Sequence, residues 1–150
     1  MNKYVITIVL SIVMAAFVSC DDDNDASVDL STWEVTCDVD PRTSMTITVE
    51  IPDSFIKISS ADKMAVFAGN ECRGVVSPQI YEEDDRKLFF LLVAIKQPED
   101  EYLNQGLSLF FYSAARDRVY ISKDEDLILG KDQMVGSIDD PYTTNWSVYR

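Results

Sequence analysis

The chain has 150 residues, 47% of them hydrophobic and 11% aromatic, and its 13 Lys and Arg against 26 Asp and Glu give a formal net charge of −13. That size and apolar content build one packed domain plus a leader and exclude wholesale disorder, while the negative charge repels phosphate backbones and excludes nucleic acid as a partner. The absence of histidine removes His-based triads, the commonest general base and the commonest zinc ligand together.

After Lys3, "YVITIVLSIVMAAFV" from Tyr4 to Val18 is a largely apolar run of 15 residues closed by the small Ser19. A charged start, an apolar centre and a small-residue cleavage site make residues 1–19 a signal peptide. A permanent span needs about 20 apolar residues, more than this run supplies before "DDDND" begins at Asp21. Cys20, on the seam, has three readings. In a calcium loop Asp21, Asp23 and Asp25 would fill positions 1, 3 and 5, yet position 6 is Ala26 instead of glycine and position 12 is Thr32 instead of glutamate. A metal site at Cys20 finds no Cys or His nearby, and a disulfide would leave the three cysteines unevenly paired. Lipid attachment uses every feature. "FVSC" resembles a bacterial lipobox, with Val18 and Ser19 at tolerated positions and Phe17 where leucine is usual. "DDDND", with Asp21, Asp22, Asp23 and Asp25, is similar to the acidic export tag of Bacteroidetes surface lipoproteins. These resemblances imply that Cys20 is diacylated and that the protein is anchored by lipid in the outer membrane, facing the extracellular side. The plainer reading of the aspartates is a solvated acidic linker. Residues 20–31 then form a lipidated acidic tether, and 32–150 the folded domain.

From Trp33 onward the dominant period is two. In "WEVTCDV" Trp33, Val35, Cys37 and Val39 share one face, and in "MTITVEI" Met45, Ile47, Val49 and Ile51 do, as half-buried strands require. "MAVFAGNECRGVV", Met64 to Val76, carries a two-residue hairpin signal at Gly69-Asn70, since both residues tolerate the positive φ of a tight primed turn. That turn sets Ala68 opposite Glu71, Phe67 opposite Cys72 and Val66 opposite Arg73. It puts Phe67 and Cys72 on one face, making Cys37 and Cys72 candidates for the core. With Cys20 lipidated these two are an even pair in an oxidising envelope, for which a disulfide is allowed but not required. "LFFLLVAI", Leu88 to Ile95, is apolar on both faces and fits a central strand covered on each side. "LSLFFY" at 107–112 and "RVYIS" at 118–122 continue the series, and no helical period or internal repeat follows the leader. The pattern predicts an all-β fold, an immunoglobulin-like β-sandwich of about 7–9 antiparallel strands.

The same segments carry a second resemblance. "DKMAVFAGNECRGVV", preceded by "SMTITVEI" and followed by "FFLLV", "LFFYSAARDRVY" and "MVGSIDDPY", resembles the β-sandwich module recurrent in secreted and surface proteins of Bacteroidetes. That module reads as an "AAF-V-G-D-E-x-R-G-V" hairpin, an "F-L-T-V" strand and a closing "G-T-x-x-N-P-Y". The likeness runs from about Trp33 to Tyr142, with Asn70 for the usual aspartate, Asp140 for the usual asparagine and "KQPED" for the usual "GN". It implies extracytoplasmic placement and an accessory role, with no defined ligand.

Candidate chemistry is sparse. "EEDD" at 82–85 and "KDED" at 123–126 are acidic pairs of the kind that hold calcium or hydrolyse glycosides, but charge runs flanking strands are ordinarily solvated turns. Arg73 reads as a structural residue of its hairpin, with a buried ion pair or a binding role as the alternatives. Trp33, Tyr81, Tyr102 and Trp146 are the aromatics of a conceivable sugar platform. Of these, Trp33 reads as core and Trp146, in the polar "TTNWS" tail, as the exposed ligand contact. No catalytic residue, metal ligand or cofactor is assigned. The expected function is a non-enzymatic surface module binding a glycan or a protein. An adhesin or fimbria-related subunit is a variant, and a small acidic-pair glycoside hydrolase the alternative. Protease added to intact cells should digest the domain; protection would sink surface display while leaving lipidation standing.

Overall fold

The computed structural model describes residues 29–38, 40, 42–81, 84–122 and 126–150. The signal peptide, Cys20 and Asp21, Asp22, Asp23 and Asp25 lie outside the described residues, as do Glu82, Glu83 and residues 123–125 of the acidic runs. Among the described residues β-branched and aromatic runs form nine strands and no helix: β1 (Met45–Glu50), β2 (Lys63–Ala68), β3 (Glu71–Val76), β4 (Gln79–Tyr81), β5 (Arg86–Val93), β6 (Leu107–Ser113), β7 (Arg118–Ser122), β8 (Met134–Val135) and β9 (Trp146–Val148). They make a four-stranded sheet in the order β4-β5-β1-β8 and a five-stranded sheet in the order β3-β2-β6-β7-β9, a β-sandwich. The pairing is antiparallel except for β1 with β8, which departs from the all-antiparallel expectation. The parallel contact continues past β8, where Tyr142 N–H donates to Thr48 O at 2.8 Å and Glu50 N–H to Tyr142 O at 3.0 Å.

The inner faces are supplied by alternate residues, as a period of two demands. Met45, Ile47 and Val49 of β1 and Phe89, Leu91 and Val93 of β5 meet Met64, Val66 and Ala68 of β2 and Leu107, Leu109 and Phe111 of β6. Phe89 and Phe111 cross the sandwich edge to face with centroids 5.9 Å apart, the geometry that ring quadrupoles prefer.

Three expectations are corrected. Residues 33–38 are not a strand, although Trp33, Val35 and Cys37 are half-buried and Glu34, Thr36 and Asp38 exposed. A segment laid over a sheet is covered on one side and so shows the same alternation as a strand, without joining a ladder. Secondly, β2 turns Met64, Val66 and Ala68 to the core, so Phe67 and Cys72 take the opposite face. Both faces of "MAVFA" are apolar, so alternation could not say which was inner. Thirdly, β5 is an interior strand but is covered on one face only at its end, where Leu92 is 37% exposed.

The hairpin turn falls at Gly69-Asn70, with Ala68 opposite Glu71 and Phe67 opposite Cys72 as expected. Gly69 alone takes positive φ, 57°. Beyond Phe67 the register slips by one, so that Val66 faces Gly74 and Arg73 becomes the extra residue of a β-bulge. Bulges re-aim a side chain and bend the strand. Here the bend carries β3 onto the end of β5, where Ala94 N–H donates to Arg73 O at 2.7 Å, joining the two sheets along one seam. A Cβ at Gly74 would stand 2.7 Å from Leu92 O, a backbone atom, whereas one at Gly106 meets nothing within 4 Å. Gly74→Ala is therefore expected to cost about 1–3 kcal/mol in urea unfolding. Gly106→Ala, the control, should stay within about 0.5 kcal/mol of wild type, and equal effects would remove the claim of a tight seam.

Candidate functional site

Arg73 is the largest fully buried side chain of the domain, and its surroundings explain how a guanidinium is tolerated there. Its Nη1 donates to Asp100 Oδ2 at 2.6 Å and its Nη2 to Asp100 Oδ1 at 3.1 Å, a two-pronged contact. Nη1 also reaches Ala94 O at 3.2 Å, across the seam between the sheets. Asp100 accepts two further bonds, from Lys96 N–H at 2.9 Å and Tyr102 N–H at 3.0 Å, and both charged side chains are 0% exposed. Glu71 pairs with Arg73 at 3.0 Å and with Lys96 at 2.7 Å nearer the surface, while the Tyr102 ring lies 5.4 Å from the guanidinium. Burial pushes the Asp100 carboxyl up, but the Arg73 hydrogen bond and the two amides outweigh it and hold the group below the usual carboxylate range. Burial likewise pulls Arg73 down, and Asp100 more than restores it. Arg73 thus takes the ion-pair alternative that the sequence left open, in a structural setting. Asp100, in a loop that reads as solvated, went unnoticed.

This buried pair underlies the hairpin turn, and the turn lines a groove. Tyr102 packs beneath Gly69, where an added Cβ would come within 2.6 Å of its ring. On the other side of the turn Gly69 and Asn70 form one rim of a groove of about 390 Å³ on the outer face of the five-stranded sheet. Phe67 of β2 and Phe110 of β6 form its floor, edge to face at 5.1 Å. Trp33 closes one wall and Tyr149 another, their rings 6.4 Å and 5.1 Å from that of Phe110. Tyr149 is 55% exposed; Trp33, Phe67 and Phe110 are half-buried. Thr32, Asn70, Ser108 and Asp29 supply the polar rim. Asp29 is the single carboxylate among the described residues of the groove, and the Ser31 N–H, 2.8 Å from it, lowers its pKa.

The residues singled out from sequence are redistributed. Trp33, expected in the core, stands in the groove. Trp146, expected to be exposed, is half-buried against Phe111 with centroids 6.1 Å apart, and its indole N–H is buried without a partner. Its strand packs on β7, which turns the ring onto the sandwich core. Tyr102 is engaged with Arg73 and Tyr81 ends β4, so the four aromatics form no common platform. Phe67, Phe110 and Tyr149 were missed, although "FF" at 110–111 necessarily sends one ring to each face. Cys72 is buried and Cys37 half-buried, both free thiols outside the core cluster. Burial pushes the Cys72 thiol up, so it is unreactive in place. Asp84 of the first acidic run is paired with Arg86. Among the described residues no group of three or more Cys, Asp or Glu is placed to hold a metal ion.

No protein-family model matches the chain, and no similar curated protein or solved structure was found. The functional reading rests on the chemistry of the groove and of the leader.

The ion pair beneath the turn is open to direct test. Asp100→Asn strands a buried guanidinium and should cost about 3–5 kcal/mol, whereas Arg73→Met with Asp100→Leu should cost less than the single change. Because the folded Asp100 pKa is depressed, its stabilisation is complete above the ordinary carboxylate value near 4 and is lost as pH falls through the lower folded value. Urea unfolding between about pH 2.5 and 5 should therefore fall less steeply in the double variant than in wild type; identical slopes would discard the assignment.

Proposed function

We propose that this chain is a non-enzymatic binding module, anchored in the outer membrane by lipid on Cys20 and facing the extracellular side, that takes a carbohydrate in the groove over Phe67 and Phe110. The observation that carries the reading is four aromatic rings converging on one concave surface with hydroxyl, amide and carboxylate groups on its rim. Sugar rings offer apolar C–H faces and hydroxyl edges, so a ligand of that kind stacks on aromatic faces while its hydroxyls exchange hydrogen bonds with Asn70, Ser108 and Asp29. The rings are supported by the sheet beneath them, so little side-chain entropy remains to be lost on binding.

Two further facts support binding over the alternatives. Hydrolysis of a glycoside uses two carboxyl groups flanking the scissile bond, about 5–10 Å apart, and among the described residues Asp29 is the one carboxylate lining the groove. A donated strand, the mark of a fimbrial subunit, needs a long open edge. The edge strands β4, β8 and β9 have three, two and three residues, and β3 is covered at Arg73 by Ala94. Short or covered edges are the ordinary defence against strand addition. The acidic run after Cys20, similar in sequence to an export tag, supports the placement.

On a glycan array, Trp33→Ala and Tyr149→Ala should each weaken binding about tenfold or more, the range of a buried aromatic contact. Leu92→Ala, on the outer face of the other sheet, should bind as wild type does. Inertness of the wild-type protein towards every glycan would overturn the reading.

A further inference from the structure

We infer that the carbohydrate taken by this groove is acidic, with a uronate carboxylate seated at Arg118 and Arg150; the inference rests on the groove reading above and adds the ligand's charge and orientation. A second hollow of about 410 Å³ adjoins the groove and shares Val119 and Tyr149 with it. Its lining includes Arg118, where β7 begins, and Arg150, which follows Tyr149. Both arginines are exposed, and among the described residues neither makes an ion pair or a side-chain hydrogen bond. Their neighbour Arg116 differs, since its Nη1 donates to Tyr120 Oη at 3.1 Å.

Arg42, Arg73, Arg86 and Lys96 each have a carboxylate partner, and their charge is already spent within the chain, whereas among the described residues that of Arg118 and Arg150 is not. The carboxylate nearest to hand in the second hollow, Asp117, instead accepts a hydrogen bond from Tyr112 Oη at 2.8 Å. Two guanidinium forks therefore stand at one end of an aromatic floor, beside the Ser113 end of β6, and the Asn70 turn stands beyond its Leu107 end. A guanidinium matches a planar carboxylate with two parallel N–H···O bonds. The second hollow sets two guanidiniums against the one carboxylate of Asp117, whereas the groove's described lining adds a carboxylate, Asp29, and no cation. The acidic unit of the ligand therefore lies towards Arg118 and Arg150 and the hydroxyl-rich unit towards Asn70. An acidic peptide fits less well. Extended peptides add to open sheet edges, and this floor is made of side chains on a sheet face, across β2 and β6, with no free backbone edge.

The test is titration calorimetry on the detergent-solubilised full chain with oligomers of galacturonate, glucuronate and mannuronate. Each is paired with its carboxyl-reduced neutral counterpart, and a sulfated oligosaccharide and an oligoglutamate peptide are included. At least one uronate oligomer is expected to bind about tenfold or more tighter than its neutral counterpart, with the margin narrowing as salt is raised. Arg118→Ala with Arg150→Ala should bring that uronate down to the neutral counterpart's affinity, and since both side chains are exposed the fold should be retained, as checked by the thermal midpoint. Equal affinity for charged and neutral oligomers, an unaffected double variant, or tighter binding of the sulfated sugar or the peptide would each overturn the uronate assignment. The first two of these leave the groove reading intact if Trp33→Ala still weakens binding about tenfold or more. Loss of all glycan binding in the wild type would instead overturn both.

Discussion

The turn at the rim of the groove and the seam between the two sheets are held by one buried ion pair. Taking a guanidinium and a carboxylate out of water costs several kcal/mol each, and Arg73 and Asp100 recover it only because every available group is aimed at them. Asp100 accepts four hydrogen bonds, two from Arg73 and two from backbone amides of its own loop. Such a pair has a narrow tolerance for displacement, so it fixes the distance between the 96–102 loop and β3. The loop positions Tyr102 under the turn, the turn presents Asn70 to the groove, and the bulge at Arg73 ties β3 to the end of β5. The Nε of Arg73 is buried and finds no hydrogen-bond partner among the described residues, the one donor atom of the guanidinium group that the arrangement leaves unsatisfied.

Much of the fold was legible in the sequence because strands announce themselves by alternation. The segments at 45–51, 64–76, 107–112 and 118–122 all became strands, and the turn at Gly69-Asn70 set the first two hairpin pairs correctly. What could not be read is what alternation leaves undetermined. A period of two separates two faces without naming the inner one, so Cys72 of β3, which shares its face with Phe67 of β2, was expected on the inner side of the sheet. It also cannot distinguish a ladder from a covered segment, which is why residues 33–38 looked like a strand. A one-residue slip at Arg73 has no signature in composition, yet it turns that side chain from a partner of Val66 into the centre of the seam.

The candidate site was less legible than the fold, and for a physical reason. Its floor comes from β2 and β6, its walls from the chain around Trp33 and Tyr149, and its rim from a turn. Residues separated by more than a hundred positions meet there, and none of them is unusual by itself. The aromatics that stood out by their polar surroundings, above all Trp146, are those the sandwich uses to close its own core. Asp100 was hidden for the converse reason: an acid within "KQPED" resembles any other solvated turn of an acidic protein. Local context reports solvent exposure well for independent residues and badly for those whose partner is distant in sequence.

The parallel contact between β1 and β8 has a consequence for how this domain comes into being. Thr46 and Ile47 lie in the first strand of the domain, and their neighbours on one side, Met134 and Val135, lie in the eighth. Closing a loop of that length precedes any reward from the contact, which makes such pairings slow and late. The four-stranded sheet therefore cannot be completed until Met134 and Val135 are available to it, so β1 keeps an open edge while the rest of the sandwich forms.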